Sequence, residues 1–220
     1  MEEIRHKYHS QLYKLGQEIL KMGTRVEETL KNSVNALVNK DIETAQKIKD
    51  SDSEIDNKTA EIEDRCAILI ATEQPVAQDM RHIITALKIV SDIERIGDHA
   101  VHLARITIEL KDEKYIKPLI NIPRMAEIGT DMLHNVLTAY TEGDTDEARN
   151  IASKDKEIDK LYEQSVRELM TYMMENPKTI EQGMKLLFIC RWMERLGDHV
   201  VNICERIIFD YEGKHVELNP

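Results

Sequence analysis

Glycine and proline are scarce, with eight and five residues among 220, and aromatic side chains make up only 5%. A turn-rich sheet protein uses more of all three, so an all-α chain of long helices is expected. No Lys/Arg-rich stretch is present and the formal net charge is -11. Such a chain lacks the cationic face that a phosphate backbone requires, so no nucleic-acid partner is expected. No apolar run approaches the length of a bilayer span, and Met1-Glu2-Glu3-Ile4-Arg5 does not open a signal peptide. The expected location is therefore cytoplasmic. The three cysteines, Cys66, Cys190 and Cys204, are odd in number, lack metal-finger spacing and sit in apolar helical patterns. They read as reduced core residues rather than a thiol active site. With no Gly-rich phosphate loop and no nucleophile elbow, nothing marks the chain as an enzyme.

What the sequence does have is apolar residues recurring at spacings of three and four, broken at a few Pro, Gly, Asn and Asp positions. Six helices follow: Tyr8 to Val38, Asp41 to Ala71, Pro75 to Leu110, then Pro123 to Tyr140, Thr145 to Glu175 and Thr179 to Tyr211. The first helix of the second set is the shorter one, and Lys111 to Ile122 forms the linker. The two sets are copies. Ala36, Asp41, Ala45, Asp52, Glu54, Ile55 and Asp56 match Ala139, Asp144, Ala148, Asp155, Glu157, Ile158 and Asp159 at one offset. Further on, Glu94-Arg95-Ile96-Gly97-Asp98-His99 matches Glu194-Arg195-Leu196-Gly197-Asp198-His199 at a slightly different offset, the change falling at a hairpin turn. Self-similarity on this scale predicts two tandem three-helix bundles with antiparallel helices, residues 1–111 and 119–213, sharing an interface. One continuous six-helix bundle is the alternative.

Each repeat carries two carboxylate pairs at i, i+4 spacing: Asp52/Asp56 with Glu94/Asp98, and Asp155/Asp159 with Glu194/Asp198. Both members of such a pair share one helix face, where like charges repel. On a helical wheel Glu94 and Asp98 fall in the stripe of Ile83, Leu87, Val90 and Val101, and Glu194 and Asp198 in that of Leu187, Cys190 and Val201. A carboxylate on an apolar face needs a proton, a cationic side chain or a metal. The pairs also lie level across their hairpins, because the midpoint of the first two falls on Pro75 and that of the second two between Asn176 and Pro177. At about 1.5 Å per residue, each cluster lies roughly 30 Å from its turn. Four acids per repeat are thus expected to converge on hard or borderline cations. The bland reading is an ion-pair network with Arg95, Arg195 or nearby lysines.

Gly97 and Gly197 inside helices predict close helix approach beside each cluster, since mid-helix glycine costs about 1 kcal/mol relative to alanine. His99 and His199 project away from the acids and read as surface or interface residues. A ferritin-like di-iron site would need Glu-x-x-His on two helices. Glu3/His6, Asp79/His82 and Asp131/His134 have acid-x-x-His spacing, but they are not repeat-equivalent.

The duplicated Glu-Arg-x-Gly-Asp segments, together with Gln74-Pro75-Val76-Ala77-Gln78-Asp79-Met80-Arg81 and Leu169-Met170-Thr171-Tyr172-Met173-Met174-Glu175, resemble the PhoU family over nearly the whole chain. The resemblance implies two three-helix bundles, a homodimer, and metal ions held by the Asp/Glu-x-x-x-Asp motifs. The ligands carried over are Asp52, Asp56, Glu94, Asp98, Asp155, Asp159, Glu194 and Asp198, with iron, zinc, manganese or magnesium as the metal. It further implies a negative regulator of phosphate uptake and of the phosphate-starvation response. Such a regulator is an adaptor between the phosphate ABC transporter and a sensor histidine kinase, peripheral to the membrane through those partners only. The competing readings are a carboxylate-bridged metalloenzyme or metal store, and a helical scaffold whose acids are merely paired. One departure stands out: the second repeat has Asn176-Pro177-Lys178-Thr179 where the first has Gln-Pro-Val-Ala-x-Asp-x-Arg, so Asp79 and Arg81 have no assumed twins.

Overall fold

Asp41 and Asp144, equivalent in the two repeats, each stop one helix and start the next. The Asp41 carboxylate accepts from the Thr44 amide at 3.0 Å, and that of Asp144 from the Glu147 amide at 2.9 Å. Around such signals the computed structural model, which describes residues 2–219 and their side chains from residue 10 onward, is all helical among the described residues. The helices are α1 (Glu2–Asn39), α2 (Ile42–Asp50), α3 (Asp52–Glu73), α4 (Ala77–Glu109), α5 (Asn121–Glu142), α6 (Thr145–Ala152), α7 (Asp155–Glu175) and α8 (Ile180–Glu212), with a 3-10 turn at Pro177–Thr179. As expected, α5 is the shorter first helix, 22 residues against 38 in α1. Gly143 and Gly213 end α5 and α8 with φ of 71° and 69°, the left-handed conformation a side chain disfavours.

The middle helix of each repeat, expected to be continuous, is broken. Ser51 separates α2 from α3, its hydroxyl donating to the Ile48 carbonyl at 2.9 Å, and Ser153 does the same between α6 and α7 by donating to Asn150 at 2.7 Å. A serine that bonds the backbone of the preceding turn offers that turn an alternative to the helix. The break has a functional consequence: Asp52 and Asp155 become the first residues of α3 and α7, where the helix dipole favours an anion.

Helices α1, α4, α5 and α8 pack in a ring, α1 on α4 and α5, α8 on α4 and α5. The pair α2–α3 covers α4 from one side and α6–α7 covers α8 from the other. The result is two three-helix bundles sharing one continuous apolar core, with Leu30, Ile93 and Leu103 of the first repeat in the same cluster as Leu133, Ile189 and Val200 of the second. The segment between them is a strap. Ile116 donates its amide to Gln182 Oε1 at 2.7 Å, Gln182 Nε2 donates to Glu113 Oε2 at 2.9 Å, and the Tyr115 hydroxyl donates to the Leu37 carbonyl at 2.6 Å. Cys66, Cys190 and Cys204 are buried free thiols, and burial pushes them up to about 11, 11 and 12. They are core residues without thiolate character, as expected. No helix among the described residues is long and apolar enough to cross a membrane.

Candidate metal centre

In the first repeat α3 and α4 run antiparallel, and Asp56, Glu94 and Asp98 each bring a carboxylate oxygen within 4.8 Å of the others. Burial, then the Asp98 charge, pushes the Glu94 carboxyl above its usual range; burial, then Asp56, does the same to Asp98. Arg95 only skirts the group, 3.8 Å from Glu94 and 3.9 Å from Asp98, with its own side chain 60% exposed. Asp52 does not join. From the first turn of α3 it turns outward to Arg105 of α4, whose Nη2 donates to Asp52 Oδ2 at 2.6 Å. Hence three of the four expected acids gather in this repeat, and the fourth is an ion pair.

The second repeat differs. Asp155 is 1% exposed and occupies the slot that Gly197 leaves open: a Cβ at position 197 would lie 1.9 Å from Asp155 Oδ1. That glycine therefore does serve a close approach, but of a side chain rather than of a second helix backbone. Asn219, in the tail that folds back over α8, donates to Asp155 Oδ2 at 2.7 Å, while Oδ1 has no hydrogen-bond partner. Burial, reinforced by the charges of Asp159, Asp198 and Glu194, pushes Asp155 up to about 7. Glu194 receives the Arg191 guanidinium on Oε1 and leaves Oε2 buried without a partner. Burial and then Asp198 raise Asp159. Among the described residues only the first repeat brings three ligand atoms within 4.8 Å of one another. The two clusters are not equivalent.

The donor set is all oxygen and carries like charges with few cationic partners, an arrangement a hard or borderline cation relieves, and in the second repeat Asp155 Oδ1 and Glu194 Oε2 are also buried and unpaired. Asp56, Glu94 and Asp98 fit such an ion directly. Asp155, Asp159, Glu194 and Asp198 do not bring three ligand atoms within 4.8 Å of one another, and Asn219 and Arg191 engage Asp155 and Glu194. Without metal, Glu94→Gln combined with Asp98→Asn is expected to stabilise the chain near pH 8 by about 1 kcal/mol, because both acids disfavour their charged form. Urea unfolding of chelator-treated protein measures this, and an equal or lower midpoint would contradict it.

Sequence reasoning did not single out Arg105, Arg191 or Asn219. Arg191 lies one helical turn from Glu194 and was visible in principle; the other two reach their acids through tertiary contacts alone. His99 and His199 sit at the α4–α8 seam, as expected of interface residues, with rings 5.7 Å apart. Burial drives His99 down to about 3, and His199 Nδ1 lies 2.9 Å from Asp92 Oδ1. Two of the three acid-x-x-His pairs do not act together: His82 meets Asp210 rather than Asp79, and His134 meets Glu27 rather than Asp131. The side chains of Glu3 and His6 lie outside the described residues.

Known proteins match this chain in sequence and fold. Residues 19–107 and 122–207 each match the PhoU domain, one match per repeat. The Phosphate-specific transport system accessory protein PhoU homolog of Clostridium acetobutylicum is 37% identical over 213 residues, 96% of this chain and 97% of that protein. The Phosphate-specific transport system accessory protein PhoU of Escherichia coli is 33% identical over 97% of this chain and 88% of its own length. Among solved structures, the phosphate transport system regulatory protein PhoU from Streptococcus pneumoniae superposes with a TM-score of 0.89 at 31% identity, covering 96% of this chain and 99% of the other. PhoU from Pseudomonas aeruginosa gives 0.90 at 34% identity, covering 94% and 100%. The Clostridium, Escherichia and Streptococcus relatives are named as transport accessory or regulatory proteins. With both repeats matched and the fold superposing along almost its entire length, this chain belongs to the PhoU family.

Proposed function

We propose that this chain is a metal-dependent negative regulator of phosphate uptake, a cytoplasmic homodimeric adaptor between the phosphate ABC transporter and a sensor histidine kinase. The role in phosphate transport rests on family membership. The metal dependence rests on one observation, the convergence of Asp56, Glu94 and Asp98 within 4.8 Å on neighbouring helices. A bound iron, zinc, manganese or magnesium ion would supply positive charge that clamps α3 to α4. The residues themselves orient the oxygens: the Ser51 break sets the start of α3, and α4 holds Glu94 and Asp98 one turn apart on one face. A clamp of this kind fixes the relative position of two helices whose outer surfaces a partner reads, and it needs no chemical step. The chain reaches the membrane through its partners only.

Two measurements test the proposal separately. Protein purified without chelator is expected to carry stoichiometric metal by mass spectrometry, and Glu94→Ala with Asp98→Ala to lose that of the first repeat. Unchanged metal content would refute the site. In cells, deletion of the gene is expected to switch on phosphate-starvation genes in phosphate-rich medium, and the double variant to fail to restore repression. Persistent repression after deletion would refute the regulatory role whatever the metal content.

A further inference from the structure

Two positions that differ between the repeats decide what sits on each acidic cluster. At the offset that aligns Glu94 to His99 with Glu194 to His199, Ser91 of α4 corresponds to Arg191 of α8, and Arg105 corresponds to Glu205. In the first repeat Arg105 draws Asp52 outward, and serine at position 91 brings no charge to Glu94. Three acids therefore face one another with only the exposed Arg95 beside them. In the second repeat Arg191 donates to Glu194, and glutamate at position 205 leaves the buried Asp155 without the arginine that its counterpart meets.

The chain's own tail answers both acids. Past Gly213 it turns back along α8, where His215 stacks on Phe209 with ring centres 4.2 Å apart and Val216 and Leu218 pack against the core. The Leu218 amide then donates to Glu205 Oε1 at 2.9 Å, and Asn219 Nδ2 donates to Asp155 Oδ2 at 2.7 Å. Two N–H groups on neighbouring residues thus replace the one guanidinium that serves Asp52. Hydrogen bonds to an ionised acceptor are the strong ones. A ligand tethered a few residues from its site also acts at an effective concentration of about millimolar, which holds it in place against a dilute competitor. The contact joins two helices, because Glu205 lies on α8 and Asp155 opens α7.

We propose that residues 214–219 are a built-in latch that closes the second repeat without metal, tying α8 to the start of α7 as a cation ties α4 to α3 in the first repeat. Arg191 and the tail take the place of the ion, so this acidic cluster is a docking slot for the chain itself. The chain then responds to metal in one half only. That contrast with the first repeat rests on the metal reading above; the latch does not.

Metal analysis and hydrogen exchange of the full chain test the two parts. Glu94→Ala with Asp98→Ala is expected to strip essentially all metal. Metal that persists in that variant and disappears when Asp159→Ala is added would overturn the proposal. Leu218→Pro, which removes the amide donor, combined with Asn219→Ala is expected to raise exchange at least tenfold in the second and third turns of α7 and to leave α3 unchanged. Chelator should do the reverse. Unchanged exchange in α7 after the tail substitutions, or loosening of α7 by chelator, would each overturn the latch. A chain without metal, or with metal indifferent to all three acid substitutions, refutes the metal reading instead, and exchange in α7 then decides the latch alone.

Discussion

Metal-free protein is expected to lose stability between pH 4 and pH 8, and Asp155→Asn to abolish much of that loss. Asp155 is ordinarily an acid of pKa 3.8 and is held near 7 in the folded chain, chiefly by burial. The folded state therefore binds this proton more tightly than the unfolded state. The resulting stabilisation is complete below about pH 4 and disappears as pH climbs through 7. At about 1.4 kcal/mol per unit of pKa, the effect is on the order of 4 kcal/mol. Placement at the first residue of α7 works the other way, but a helix N-terminus favours an anion by only about 1 kcal/mol. Urea unfolding of wild type and Asp155→Asn at pH 4 and pH 8 provides the measurement. The two should agree at the lower pH and diverge at the higher, the variant being more stable; parallel curves would mean that Asp155 ionises in its slot without penalty.

Gly197→Ala is expected to destabilise the chain by about 2–3 kcal/mol, whereas Gly97→Ala, its counterpart in the first repeat, should be close to neutral. Both exchanges gain about 1 kcal/mol of helix propensity. They differ in what the methyl meets. At position 97 it approaches Ile55 Cδ1 at 2.8 Å, the free end of a flexible side chain that can turn aside. At position 197 it overlaps Asp155 Oδ1 at 1.9 Å and stands 3.2 Å from Ile158 Cδ1. Asp155 must leave its slot, giving up the Asn219 hydrogen bond and crowding Glu194 and Asp198. A double-mutant cycle with Asp155→Ala separates this from general overpacking, since removing the carboxylate should recover at least 1 kcal/mol. Additive single changes would show that the methyl clashes with something else.

Much of this was legible in the sequence, and the exceptions share a physical cause. Helical periodicity located each long helix, and the offset between Asp41 and Asp144 exposed the repeat. The breaks were hidden because apolar phase continues across an interruption of one residue, Ser51, or two, Ser153 and Lys154, with Ile48 and Ile55 facing the core on either side of the first. Hairpin symmetry placed the four acids of each repeat at one level but carries no information about which way each side chain turns. Asp52 thus went to Arg105, and Asp155 into the Gly197 slot. His82 was read against Asp79 on its own helix, while its partner Asp210 lies 128 residues away. Residue spacing sees along a helix; it does not see across the seam between repeats.

That seam records a history. Equivalent helices meet there, α1 against α5 and α4 against α8, and the equivalent residues His99 and His199 approach each other across it. Contacts of like with like are those of a two-fold axis, the symmetry of an isologous dimer. A half-length ancestor bearing this face would have completed its core with a second copy of itself. The strap through Tyr115 and Ile116 then reads as the tie that fused two subunits into one chain. Fusion also lifted the requirement that both halves stay identical, leaving one acidic cluster open and the other covered by its own tail.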